Sequence, residues 1–204
     1  MYNIGDRLVY PMHGAGVVEA IEEKEVLDEK RFYYVMKMPI GDVKVMIPVN
    51  NTEEIGIRDV ATKAEAEKVI EKFVETQPDT ASNWNKRYRE NMEKIRGGNL
   101  IEIAYVAKTL MLKEKMKGLS MGERKMLQSV KQILISELVI ALSTDSDALT
   151  ERLANIVADD VERLAKAAEA ATFVVEVKPE QEKKEFTIEV QQEVKEDEAV
   201  PSDA

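Results

Sequence analysis

The segment Asn83-Trp84-Asn85-Lys86-Arg87-Tyr88-Arg89-Glu90-Asn91-Met92-Glu93-Lys94-Ile95-Arg96 holds the sole tryptophan of the chain beside a run of cations. Helical spacing places Trp84, Arg87 and Tyr88 on one face, with Lys86 and Arg89 flanking it. Cations beside an aromatic near a helix start suit a nucleic-acid backbone. Phosphate contacts would position such a helix, and an indole could wedge between partly unstacked bases from the minor groove. The same indole also reads as a core anchor, the usual place of a lone tryptophan among packed helices.

Other clusters that could do chemistry give way to plainer accounts. His13 sits in a Pro-x-His-Gly turn without a serine or acid patterned around it, and a catalytic triad is recognised by its partners. Gly14-Ala15-Gly16 has Glu19 in the third glycine position and precedes a strand, whereas a dinucleotide fingerprint must open a helix. Asp145 and Asp147 start like a calcium loop, but Thr150 stands where that loop needs glycine and Leu149 where it needs an oxygen ligand, so helix capping is the better account. Glu22, Glu23, Glu25, Asp28 and Glu29 alternate with Lys24 and Lys30 and lack an apolar pocket to raise a carboxylate, which reads as a solvated turn. With no cysteine and one histidine, disulfides, thiol nucleophiles and Cys/His zinc sites are excluded. No enzyme reading survives and no cofactor is expected.

The net charge of -10 argues at first against nucleic acid, but its distribution reverses that. Residues 80 to 131 carry 12 Lys and Arg against 5 Asp and Glu, a local +7 between flanks of -6 and -11. No run of 18 apolar residues occurs, and the opening Met-Tyr-Asn-Ile-Gly-Asp lacks a secretory pattern, so a soluble cytoplasmic protein is expected.

The elements that must position these residues change character along the chain. Arg7-Leu8-Val9-Tyr10, Gly16 to Ile21, Arg31 to Met36 and Val43 to Ile47 are rich in β-branched and aromatic residues and separated by turn chemistry. Four or five strands in under 60 residues predict a small SH3-like barrel, with Pro48 ending the last long strand or sitting on an edge. Beyond it, Thr62 with Glu65 and Ser120 with Glu123 are capping boxes, and Asn99 with Glu102 is a looser one. Leu100, Ile103, Ala104, Ala107, Leu110 and Met111 mark one apolar helix face. Leu127, Val130, Leu134, Leu138 and Ala141 mark the next, and Leu149, Leu153, Ile156, Val157, Val161 and Leu164 a third over about 146 to 170. Past about 172 the chain is Glu-rich with sparse apolar positions, the composition of a disordered acidic tail. The expected fold is therefore α+β: a barrel over 1–57, a compact all-α helical domain over 60–170 and a tail over 172–204.

Gly5-Asp6-x-x-Val9-Tyr10-Pro11-x-His13-Gly14-x-Gly16, Ile47-Pro48, Gly56-x-Arg58-Asp59, Asn83-Trp84-x-x-Arg87-Tyr88 and Gly118-Leu119-Ser120-x-Gly122-Glu123, in that order and spacing, resemble the CarD (CdnL) family of bacterial transcription regulators. The resemblance spans residues 1 to about 165. It implies a Tudor-like RNA polymerase interaction domain, shared with transcription-repair coupling factors, followed by a helical DNA-binding domain. It further implies that an exposed strand region including Lys24, Val26 and Met46 binds the polymerase β subunit, Met46 standing where some relatives carry a basic residue. Trp84 matches the family's wedge, Lys86, Arg87, Arg89 and Arg124 fall where relatives use basic side chains on promoter DNA, and the adjacent Lys125 is expected to bind DNA with them.

On that reading the first domain docks on polymerase and the helical domain stabilises the open promoter complex at the upstream edge of the bubble. Recognition would be by minor-groove shape, with weak sequence preference. The alternative from another class is an adaptor that does not bind DNA, in which both domains bind proteins and Trp84 is packed inside.

Overall fold

The computed structural model describes residues 1–26, 29–41, 43–77 and 84–168, with the side chains of Val26, Trp84 and Asn85 outside that description. Residues Met1–Asp159 form one compact unit, and the described residues 160–168 belong to a second. The residues expected to form the acidic tail, 172–204, lie outside the described residues.

Five strands, β1 (Arg7–Tyr10), β2 (Gly14–Val26), β3 (Glu29–Lys37), β4 (Lys44–Pro48) and β5 (Arg58–Asp59), make an antiparallel sheet in the order β4-β3-β2-β1-β5. Alternation sets one face. Leu8, Val18, Tyr34, Met36 and Ile47 close a core with Met38 and Ile57, and the Tyr34 hydroxyl accepts from the Tyr2 backbone N–H at 2.9 Å. A bulge between Val18 and Ala20 shifts the β2–β3 register and twists the sheet. His13 plays a structural part in the β1–β2 turn, its N–H donating to the Tyr10 carbonyl at 3.0 Å and its ring lying 4.4 Å from that of Tyr10.

The barrel expected from the strand pattern is corrected to an open sheet, because β4 and β5 are its two edges and do not pair. Pro48, which has no N–H to donate, ends β4 as expected. A 3-10 turn at Val49–Asn51 and the one-turn helix α1 (Thr52–Ile55) then carry the chain across to β5, whose two residues pair only with β1.

The helices are α2 (Lys63–Glu75), α3 (Trp84–Gly97), α4 (Leu100–Lys117), α5 (Met121–Leu142) and α6 (Ser146–Ala168). Both capping boxes form. The Thr62 and Ser120 hydroxyls accept from the N–H groups of Glu65 and Glu123, whose carboxylates accept from the cap N–H groups in return. The Asn99 side chain caps α4 by accepting from Ile101 and Glu102, and a left-handed Ser143 ends α5. The expected apolar stripe of α4 is buried throughout, as are Leu149, Leu153 and Val157 of α6. Lys108, 0% exposed, sends its ammonium to the Val74 carbonyl at 2.7 Å, placing a cation at the C-terminal end of α2. No single helix among the described residues is long and apolar enough to cross a membrane.

Helix α5 also carries the sheet. Ser136 accepts from the Ala15 N–H at 2.9 Å and donates to the Ile133 carbonyl at 2.9 Å, so a buried hydroxyl bridges strand and helix. Val9, Ala15 and Ile140 pack beside it. Glu137, one residue on, receives both arms of the Arg58 guanidinium, at 2.6 and 2.9 Å, and the Ala61 N–H at 3.2 Å. Arg58 also donates to the Gly98 carbonyl between α3 and α4. The Gly56-x-Arg58-Asp59 motif thus ties strand β5 to the helices.

Candidate functional site

Two surfaces receive the residues singled out from the sequence. On the sheet, Lys24 pairs with Arg31, Val26 with Glu29 and Met46 with Val35. Glu29, Arg31 and Val35 are spaced by even steps along β3, so all three positions fall on one face of the sheet. That is the period-two consequence of a strand. Met46 is 45% exposed, on an edge strand whose outer backbone groups face no further strand among the described residues. Lys24 is partly exposed and lies 3.3 Å from Glu22. The face is therefore mixed, an apolar Met46 at the edge with paired charges along its length.

The second surface is built where the first turns of α3, the end of α4 and the start of α5 meet. Helix α3 is anchored by Ile95, 2% exposed, and by the Lys94 ammonium 4.2 Å from the Tyr105 ring centroid. Its opening turns are more open to solvent: Lys86 and Arg89 are exposed, Arg87 and Tyr88 half-buried. Lys86 lies 3.8 Å from Glu90 one turn on, a weak surface pair. Trp84 is the first residue of α3, and its side chain lies outside the description.

A cavity of about 120 Å³ opens between these helices, lined by Arg87, Tyr88 and Asn91 from α3, Leu110 and Lys113 from α4, and Met126 from α5 among others. Glu123 also lines it, and the following residues Arg124 and Lys125 are exposed on the first turn of α5. The structure thus brings Arg87 to the same end of the helices as Arg124 and Lys125. It adds residues that sequence reasoning did not single out, Lys113, Lys115 and Lys117. Their signal was the alternate-lysine run just before Gly118, where cations also suit the negative end of the α4 dipole.

Not all of these cations serve an outward surface. Lys113 is bonded to the Glu123 carboxylate, which is 5% exposed and also accepts from the Ser120 N–H and hydroxyl at 3.0 and 2.9 Å. Burial alone would raise the Glu123 carboxyl, but the bonds from Lys113 and Ser120 outweigh it and hold the group below its ordinary value of 4.5. Lys115, Lys117, Arg124 and Lys125 remain exposed around this neutralised pair. Among the described residues, no group of three or more His, Asp or Glu side chains is placed to hold a metal ion.

Residues 2–61 match the family model described as CarD-like/TRCF RID domain, and residues 68–154 the one described as CarD, C-terminal domain. The chain is 43% identical over 140 residues to YdeB of Bacillus subtilis (strain 168), by its name a candidate transcription factor, covering 69% of this chain and 92% of that protein. The solution NMR structure of the 72-residue N-terminal domain of Myxococcus xanthus CarD is 38% identical, covering 30% of this chain and 81% of that one, at a TM-score of 0.27.

Proposed function

Because this chain belongs to the CarD family, we propose that it is a transcription regulator that docks on the RNA polymerase β subunit through the sheet and stabilises the open promoter complex through the helices. The observation that carries the reading is the tandem match, a CarD-like/TRCF RID domain over the sheet followed by a CarD C-terminal domain over the basic helices. The face holding Lys24, Val26 and Met46 is the docking surface for polymerase. Arg87, Lys86 and Arg89 on α3, with Arg124 and Lys125 on α5, meet promoter phosphates, and Trp84 enters the minor groove at the upstream edge of the bubble.

Charge supports this division of labour. A chain of net -10 binds free DNA weakly, so tethering to polymerase raises the effective concentration of its +7 segment at the promoter. A wedge that fits distorted DNA and not closed duplex shifts the equilibrium by its differential affinity. A preference of about 1.4 kcal/mol changes the open-to-closed ratio roughly tenfold.

The test is the lifetime of promoter complexes formed by purified bacterial polymerase, with the wild type and with Trp84→Ala checked for folding. Prolongation by the wild type and its loss in a folded variant support the wedge. Polymerase binding without any change in lifetime overturns it in favour of a protein adaptor.

A further inference from the structure

The cavity between α3, α4 and α5 is not used by a wedge that enters a groove, yet it opens on the same basic end of the helices. We propose that it receives one unpaired nucleobase of the opened DNA strand, with Arg87 and Lys117 meeting the adjoining phosphate. This rests on the promoter reading above and names what the same surface takes from the bubble.

The dimensions suit one ring system. The cavity offers about 120 Å³, where a single water needs about 10–15 Å³ on the same measure. Its lining has an apolar part and a cationic part, with the Lys113–Glu123 pair, already neutralised, also on it. Leu110 and Met126, 3% and 5% exposed, supply a buried apolar part, and Tyr88 lines the same cavity. Apolar and aromatic walls hold a base by stacking without reading its identity, in keeping with weak sequence preference. The border is cationic, with Arg87 on α3 and exposed Lys117 on α4. A free phosphate has no use for the apolar part, and an uncharged apolar ligand has no use for the border.

The site discriminates open from closed DNA by a physical cost. A base within duplex must break its stack and pair before it can enter any pocket, whereas a base at the edge of a bubble has already lost both. The free energy of filling the cavity is therefore added to the open state only.

The test uses the full chain with a fork DNA, a duplex ending in a single-stranded arm, against the same duplex without the arm. Fork is expected to bind about tenfold tighter, the size of one base stacked on a protein ring. The methyl NMR signals of Met116, which lines the cavity wall, and Met126 should shift with fork and not with duplex. Asn91→Phe, placed on the half-buried wall to fill the cavity, should bring the fork-to-duplex ratio back to one. Met116→Ala, at a position 46% exposed and tolerant of change, should lower the same ratio if the Phe variant fails to fold. A fork with an abasic site at the first unpaired position bound as tightly as the intact fork overturns the proposal. So does a free deoxynucleoside monophosphate that shifts both methyl signals as strongly as the fork. Promoter-complex lifetime keeps the two readings apart: a lifetime lost in Trp84→Ala but retained in folded Asn91→Phe removes the pocket and leaves the wedge standing.

Discussion

Arg58 on β5 grips Glu137 on α5 with both arms of its guanidinium, at 2.6 and 2.9 Å, although 79 residues separate them in the chain. Glu137 is 0% exposed, while the Arg58 side chain keeps 38% of its surface in solvent. Such a pair is asymmetric. Removing the arginine leaves a buried carboxylate with only the Ala61 N–H, and breaking a buried pair in this way costs about 3–5 kcal/mol. Arg58→Ala should therefore destabilise the chain by that order in urea unfolding, whereas Arg58→Met combined with Glu137→Leu should cost much less. Equal losses in the single and double variants would show that the pair is not what ties sheet to helix.

Gly14 predicts a second weak point at the same junction. Its φ is +106°, and a Cβ there would lie 2.3 Å from the Ser136 Oγ that holds the Ala15 N–H. Gly14→Ala combines backbone strain with displacement of a buried hydrogen bond, each of about 1–3 kcal/mol. Gly5, at φ +95° with nothing within 4 Å of an added methyl, carries the strain alone. The melting temperature should fall further for Gly14→Ala than for Gly5→Ala, and the reverse order would remove Ser136 from the account.

Acid should loosen the start of α5 through Glu123. Its carboxyl is held below 4.5 in the folded chain, so near and below that pH the unfolded chain binds the proton more readily than the folded one. The stability it contributes is thus complete above the unfolded value and lost as pH falls through the folded one. A series of thermal unfolding curves from neutral pH downward should show this loss in the wild type and a shallower one in Glu123→Gln, which no longer titrates. Parallel acid limbs in the two proteins would exclude Glu123 as a contributor.

Local chemistry makes much of this fold readable. Arg7–Tyr10 is a strand as its residues predict, and Thr62, Asn99 and Ser120 start the helices their side chains cap. What the sequence hides is long-range pairing of polar groups. No local signal marks Glu137 as the partner of Arg58, 79 residues away, or Lys108 as the donor to the end of α2. Closure of the barrel is out of reach for a related reason: strand propensity reports that segments extend, not whether the two outermost ones meet. At the candidate site, the helix that carries Trp84 to Arg89 is legible from spacing alone. Lys113 and Lys117 are not, since only the packing of α4 beside α3 brings them to the same end.

Those two lysines allow the proposed DNA contact to be tested apart from structural charge. Lys113 is bonded to Glu123, whereas Lys117 is exposed at the end of α4 beside the same cavity. Lys117→Ala should weaken DNA binding alike for all sequences and reduce the slope of log affinity against log salt by about 1, the effect of one phosphate contact removed. Arg89→Ala on α3 should do the same. Lys113→Ala should instead leave Glu123 buried without its cation and lower the melting temperature, with the salt slope unchanged. Affinity measured across a salt series, alongside thermal unfolding, reads both quantities on the same variants. A salt slope that drops equally for Lys113→Ala and Lys117→Ala would mean that the Glu123 pair opens on DNA and that both ammonium groups reach phosphate.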